Sequence, residues 1–91
     1  MKSFNVIVQV YNNTQEVEVA PNCNGWTARN IGSTVCVVNG ITLQPPPGAG
    51  QSGESVEISG NEGEIYQGRI QLRFANLVGA AVEIIQKYYL S

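Results

Sequence analysis

Residues 34–43 read TVCVVNGITL, two short runs of β-branched and apolar residues separated by Asn39-Gly40. That composition favours extended strands, and Asn-Gly supplies the two positive φ angles that a type I′ hairpin turn requires. A two-residue loop also fixes the register, pairing Val38 with Ile41 and Cys36 with Leu43. Side chains alternate along a strand, so those four share one face while Val35, Val37 and Thr42 take the other. Cys36 is therefore predicted to be a core residue rather than a reactive thiol.

Strand signals continue on both sides of this hairpin. Residues 25–31 (GWTARNI) form a weaker strand candidate, closed by Gly32-Ser33. Further back, Phe4, Val6, Val8 and Val10 alternate with Asn5, Ile7, Gln9 and Tyr11. The turn-like residues 12–15 (NNTQ) then lead into Glu16-Val17-Glu18-Val19. A hairpin across that loop would set Val10 opposite Val17 and Val8 opposite Val19, with the valine face inward and Glu16 and Glu18 outward. Asn12-Asn13-Thr14 also matches the glycosylation acceptor pattern, read here as a chance match in a turn.

On the C-terminal side, residues 55–58 read as a short strand and 59–63 as a turn. Tyr66 to Phe74 alternates, with Tyr66, Ile70, Leu72 and Phe74 inward and Gln67, Arg69, Gln71 and Arg73 outward. Gly68 replaces an inward side chain, which predicts a bulge or a close backbone approach. The last segment, residues 80–91, fits a helical stripe through Ala81, Val82, Ile85, Tyr88 and Tyr89, with Glu83 and Lys87 as an i,i+4 pair. Its Val, Ile and Tyr content favours a strand instead. As a strand, Val82, Ile84, Tyr88 and Leu90 line one face and Ile85 and Tyr89 the other. Apolar residues on both faces suit a central strand or a subunit contact. Strand signals at this spacing predict an all-β fold. We expect a single small β-sandwich or jelly-roll-like domain over residues 1–91, with seven to eight short, mainly antiparallel strands and an exposed Pro/Gly loop at 45–54.

Composition narrows the chemistry. The 91 residues include no His and no Asp, which excludes histidine acid–base catalysis, His-containing triads and EF-hand loops. The basic residues Lys2, Arg29, Arg69, Arg73 and Lys87 are scattered, so no basic tract is available for nucleic acid. Charged residues make up 13%, about half the usual share of roughly 25%. Such sparse charge fits a subunit covered by neighbours better than a small soluble monomer. The apolar runs are too short for a membrane span, and no apolar leader follows Met1-Lys2. Synthesis in a host cytoplasm without export is the expectation.

Three constellations invite a chemical reading. In PPPGAGQSGES (45–55), Gly48, Gly50 and Gly53 fit G-x-G-x-x-G, and Gly48–Ser55 fits a P-loop except that Glu54 replaces the lysine. A phosphate loop needs that lysine and a following helix; here an acid, a strand and three stiff prolines stand instead, so no nucleotide is expected. The Glu16/Glu18 and Glu62/Glu64 pairs raise glycoside hydrolysis, or a calcium site with Asn61, but exposed glutamates on strands and turns are ordinarily solvated. Cys23 and Cys36 cannot complete a four-ligand zinc site in one chain. A disulfide between them stays open, with two reduced, partly buried thiols the favoured state. No catalytic residue, metal or cofactor is expected.

The order of residues 30–43, the Pro/Gly loop, Glu54–Ile58, Gly60–Ile65, Arg69–Phe74 and Ile85–Tyr88 resembles short all-β virion proteins encoded by bacteriophages, over about two-thirds of the chain. The resemblance implies a non-enzymatic virion structural protein: a minor capsid, spike-base or tail accessory subunit. It also implies a homo-oligomer, trimer or pentamer, packed on other virion proteins. Trp26, Tyr88, Tyr89 and Leu90 are candidate contact residues, with outward Arg69 and Arg73 available to an acidic partner. The Pro/Gly loop is expected to reach for a neighbouring subunit. The alternative is a small carbohydrate- or cell-surface-binding module using Trp26, Tyr11 and Tyr66 as stacking platforms.

Overall fold

At the Asn39-Gly40 turn φ is 49° and 82°, and the turn pairs Val38 with Ile41, Val37 with Thr42 and Cys36 with Leu43. The structure, a computed structural model, describes residues 3–48 and 50–90. Among them are eight strands and no helix: β1 (Phe4–Tyr11), β2 (Gln15–Glu18), β3 (Cys23–Asn30), β4 (Cys36–Val38), β5 (Ile41–Leu43), β6 (Ser55–Ser59), β7 (Arg69–Phe74) and β8 (Val82–Tyr89). They form two four-stranded antiparallel sheets. Sheet A has the order β1-β8-β3-β6 and sheet B the order β2-β7-β4-β5. Both the all-β expectation and the strand number hold.

One core lies between the sheets. Sheet A contributes Trp26, Ala28, Val82 and Ile84, and sheet B contributes Val17, Val38, Ile70 and Leu72. Cys36 and Leu43 are buried with them, as the hairpin register requires. Burying an Ile or Leu side chain of this kind stabilises the fold by about 1.5–3 kcal/mol. The inward set of β7 is also as expected, with Ile70 and Leu72 buried and Phe74 half-buried.

The expected β1–β2 hairpin does not form. β1 pairs along its whole length with β8, while β2 pairs with β7 in the other sheet. Residues 12–14 carry the chain between sheets, held where the Thr14 hydroxyl accepts the Phe74 N–H at 3.2 Å. Alternation identifies which side chains share a face, but not which partner the strand takes or which face is inward. The eight-residue ladder to β8 and the Val17–Ile70 pairing override the local turn. As a result Val17 enters the core, whereas the Phe4–Val10 row does not.

β8 is a strand, lying centrally between β1 and β3, which settles the helix-or-strand choice. Its inward row is Val82, Ile84 and Gln86. Near its end burial passes to Tyr89, while Tyr88 is half-buried, because the 60–64 turn folds over Tyr89 and the Gly63 N–H donates to its hydroxyl at 2.7 Å. The bulge sits in β3, where Asn24 is the extra residue between Cys23 and Gly25. The Asn24 amide donates to the carbonyls of Asn61 and Glu64, each at 2.9 Å, tying that turn down. Gly68, just before β7, makes neither the bulge nor the close backbone approach expected of it: its φ is 145°, and a Cβ there would meet the Tyr66 side chain.

Buried Asn30 links the two sheets at one end of the molecule. Its amide donates to the Thr34 and Leu43 carbonyls at 2.9 Å, and its oxygen accepts the Gly32 N–H. The Pro/Gly loop joins sheet B to sheet A and closes at its base. Glu54 N–H donates to Gln44 O, Gln44 N–H donates to the Glu54 carboxylate, and Asn30 N–H donates to Glu54 O. Glu54 is thus the clasp of the loop. Gly53 is required because a Cβ there would lie 2.0 Å from Asn30 O. The tip is exposed, and Ala49 lies outside the described residues.

Candidate functional site

The candidate contact residues separate into three places. Trp26 is 2% exposed, packed edge-on against Tyr66 with ring centroids 6.0 Å apart, and its Nε1 finds no hydrogen-bond partner in the core. Tyr89 is 3% exposed. Both rings are packed inside the chain's own fold and present no face to a neighbour. Arg69 and Arg73 are exposed on the outer face of β7, where Arg69 pairs with Glu18 at 3.3 Å and Glu16 at 3.7 Å. Half-buried Tyr88 and exposed Leu90 lie at the end of β8. The structure does not bring these six into one patch. The stacking trio is no better placed: Tyr11 and Tyr66 are half-buried against the same core as Trp26.

The groups with chemical potential are equally dispersed. Cys23 and Cys36 are buried free thiols. Burial pushes the Cys36 thiol up to about 11 and also raises Cys23, whose Sγ–H donates to Gly25 O at 3.3 Å. Neither is a ready thiolate at neutral pH. The Glu64 carboxylate accepts the Asn61 N–H at 2.6 Å, so it braces its own turn. Among the described residues no group of three or more His, Cys, Asp or Glu is placed to hold a metal ion. Nor is any helix long and apolar enough to cross a membrane.

A different surface emerges on sheet A. Cross-strand partners share a face, so the register sets Val10 with Glu83, Val8 with Ile85 and Val6 with Lys87 on the side away from the core. Phe4, Val6, Val8 and Val10 are 48–58% exposed there, forming an apolar row along an edge strand. The neighbouring charges are engaged: Arg29 pairs with Glu83 at 2.9 Å, and Lys87 Nζ sits 4.5 Å over the Phe4 ring. The opposite row of β1 is only partly covered, with Asn5 and Gln9 exposed and Ile7 half-buried.

The backbone of β1 is open on the same strand. Leu90 N–H donates to Ser3 O, and the continuous register then makes the odd-numbered residues of β1 those bonded to β8. The N–H and C=O groups of Phe4, Val6, Val8 and Val10 therefore point to the edge. Among the described residues these groups find one hydrogen-bond partner, the side-chain oxygen of Asn5, which accepts the Val6 N–H at 2.8 Å. The other edges are blunted as natural edges usually are: β2 is four residues long with Glu16 and Glu18, β5 has three residues, and β6 carries Glu57. β1 has eight residues, no charge and no proline. The signal is present in the sequence as a charge-free alternating run, but alternation alone does not say whether the apolar row faces inward or outward. Comparison with protein-family models, with curated proteins and with solved structures returned no match, so the chain's own geometry carries its functional reading.

Proposed function

We propose that the chain is a non-enzymatic structural subunit that works by self-association and by packing on other proteins of a particle. This is the role implied by its resemblance to phage virion proteins of the minor capsid, spike-base or tail accessory type. One observation carries the reading: the apolar, uncharged row Phe4, Val6, Val8 and Val10 on an edge strand. Contiguous apolar surface on a small domain marks contact with another macromolecule more often than contact with water alone. Burial of both thiols, which raises their pKa values, fits a core-packing role for the two cysteines. The glycan-binding alternative draws no comparable support, because Trp26 is buried and Tyr66 packs on it.

Light scattering during size-exclusion chromatography tests self-association directly. The expected result is an oligomer at micromolar concentration; a monomer throughout would remove the proposal. The virion setting has its own test. The chain should co-sediment with phage particles from a producing culture and be detected in the particle band by mass spectrometry. Absence from the band would remove the virion setting while leaving self-association standing.

A further inference from the structure

Granting the self-association proposed above, we infer that the contact is β1 against β1 of a second copy, antiparallel, across a two-fold axis centred on Ile7. The residues whose backbone groups face the edge are Phe4, Val6, Val8 and Val10, and in an antiparallel pair these must meet one another to exchange hydrogen bonds. Centring on Ile7 is the register that uses all of them. Phe4 then faces Val10 of the second copy and Val6 faces its Val8, each pair exchanging N–H···O bonds in both directions.

The same register satisfies the side chains. A two-fold axis perpendicular to the sheet keeps the outer face outer, so the two apolar rows lie side by side. On the other face Asn5 meets Gln9 of the second copy, amide to amide, and the two Ile7 side chains meet on the axis. The Asn5 oxygen that bonds Val6 N–H in the single chain is released as the second strand takes its place. Strand addition at an open edge is a general recognition mode. A second copy is the partner that fits here because β1 carries no charge, so self-pairing sets no like charges opposite one another. The product is a continuous sheet of order β6-β3-β8-β1-β1-β8-β3-β6. Its symmetry gives a dimer, or an even-numbered assembly of dimers.

The test uses the full chain and three variants, read by sedimentation velocity up to about 100 µM, with circular dichroism and thermal melting as controls for folding. Val8→Pro removes an edge-facing N–H while leaving the ladder to β8 intact, since proline is tolerated on the solvent side of an edge strand. V6E/V8E places acids opposite acids in the Ile7-centred register. V6E/V8K adds the same number of charges but places acid opposite base. The expected result is an even-numbered oligomer for the wild type, loss of the two-fold contact in Val8→Pro and V6E/V8E, and its retention in V6E/V8K. A wild-type oligomer unchanged in folded Val8→Pro and V6E/V8E would overturn the β1 contact while leaving self-association in place. Loss in V6E/V8K equal to that in V6E/V8E would overturn the register. A monomeric wild type would overturn both this contact and the self-association it rests on.

Discussion

Asn30 and Cys36 show how much a single buried residue sets. The Asn30 side chain makes three hydrogen bonds in a fully buried position, and truncation would orphan two carbonyls and one N–H. Asn30→Ala should cost about 2–4 kcal/mol, measured by urea unfolding. Cys36 makes stability depend on pH in the alkaline range. Its pKa rises from an ordinary 9.0 to about 11 in the folded chain, so between those values the unfolded state has lost a proton that the folded state keeps. The contribution is complete below pH 9 and is lost as pH rises through 11, a decline of about 2–3 kcal/mol at about 1.4 kcal/mol per pH unit. Unfolding midpoints from pH 8 to 11 should fall more steeply for the wild type than for Cys36→Ala; equal slopes would refute the assignment.

Elements differ in how far local sequence determines them. The turn and register of the β4–β5 hairpin were legible because they are local properties of Asn39-Gly40, although β4 starts at Cys36 rather than Thr34 and Ile41 stays exposed beside its buried face-mates. β7 was legible too, since Ile70, Leu72 and Phe74 alternate against charged and amide residues. β1 was legible as a strand but not in its pairing. Its partner lies at the far end of the chain, and a row of valines looks the same whether it faces the core or a second molecule. The candidate contacts are less legible still: Trp26 and Tyr89 are of interface type, but both are buried, and burial is decided by packing that residue type alone does not specify. The Pro/Gly loop belongs to this scale as well. Gly53→Ala should destabilise by about 2 kcal/mol or more, because its Cβ would collide with Asn30 O. Gly48→Ala, with nothing within 4 Å, should stay within about 0.5 kcal/mol in the same thermal melts.

For the whole molecule, the distribution of polarity matters more than its amount. The outer face of sheet B carries Glu16, Glu18, Arg69 and Arg73, whereas the outer edge of sheet A is apolar. Self-association through sheet A should therefore respond to solvent as apolar burial does. Sodium sulfate at about 0.5 M should strengthen it several-fold. Sodium chloride between about 0.05 and 0.5 M should change it less than about twofold, read as the dissociation constant in sedimentation. A strong chloride dependence would point to the charged face instead. The strand order has a further consequence, for the time course of folding. β1 and β3 are joined only through β8, which comes last of the eight strands in the chain. The β1 side of sheet A therefore cannot assemble strand by strand as the polypeptide is made, because β8 is the last of the eight strands to emerge. Only the β4–β5 hairpin can close early. The remaining pairings await distant segments, which places folding in the slow range of about milliseconds to seconds. Throughout that interval the β1 segment lacks the one strand it pairs with, so its apolar row stays exposed on every side until β8 arrives.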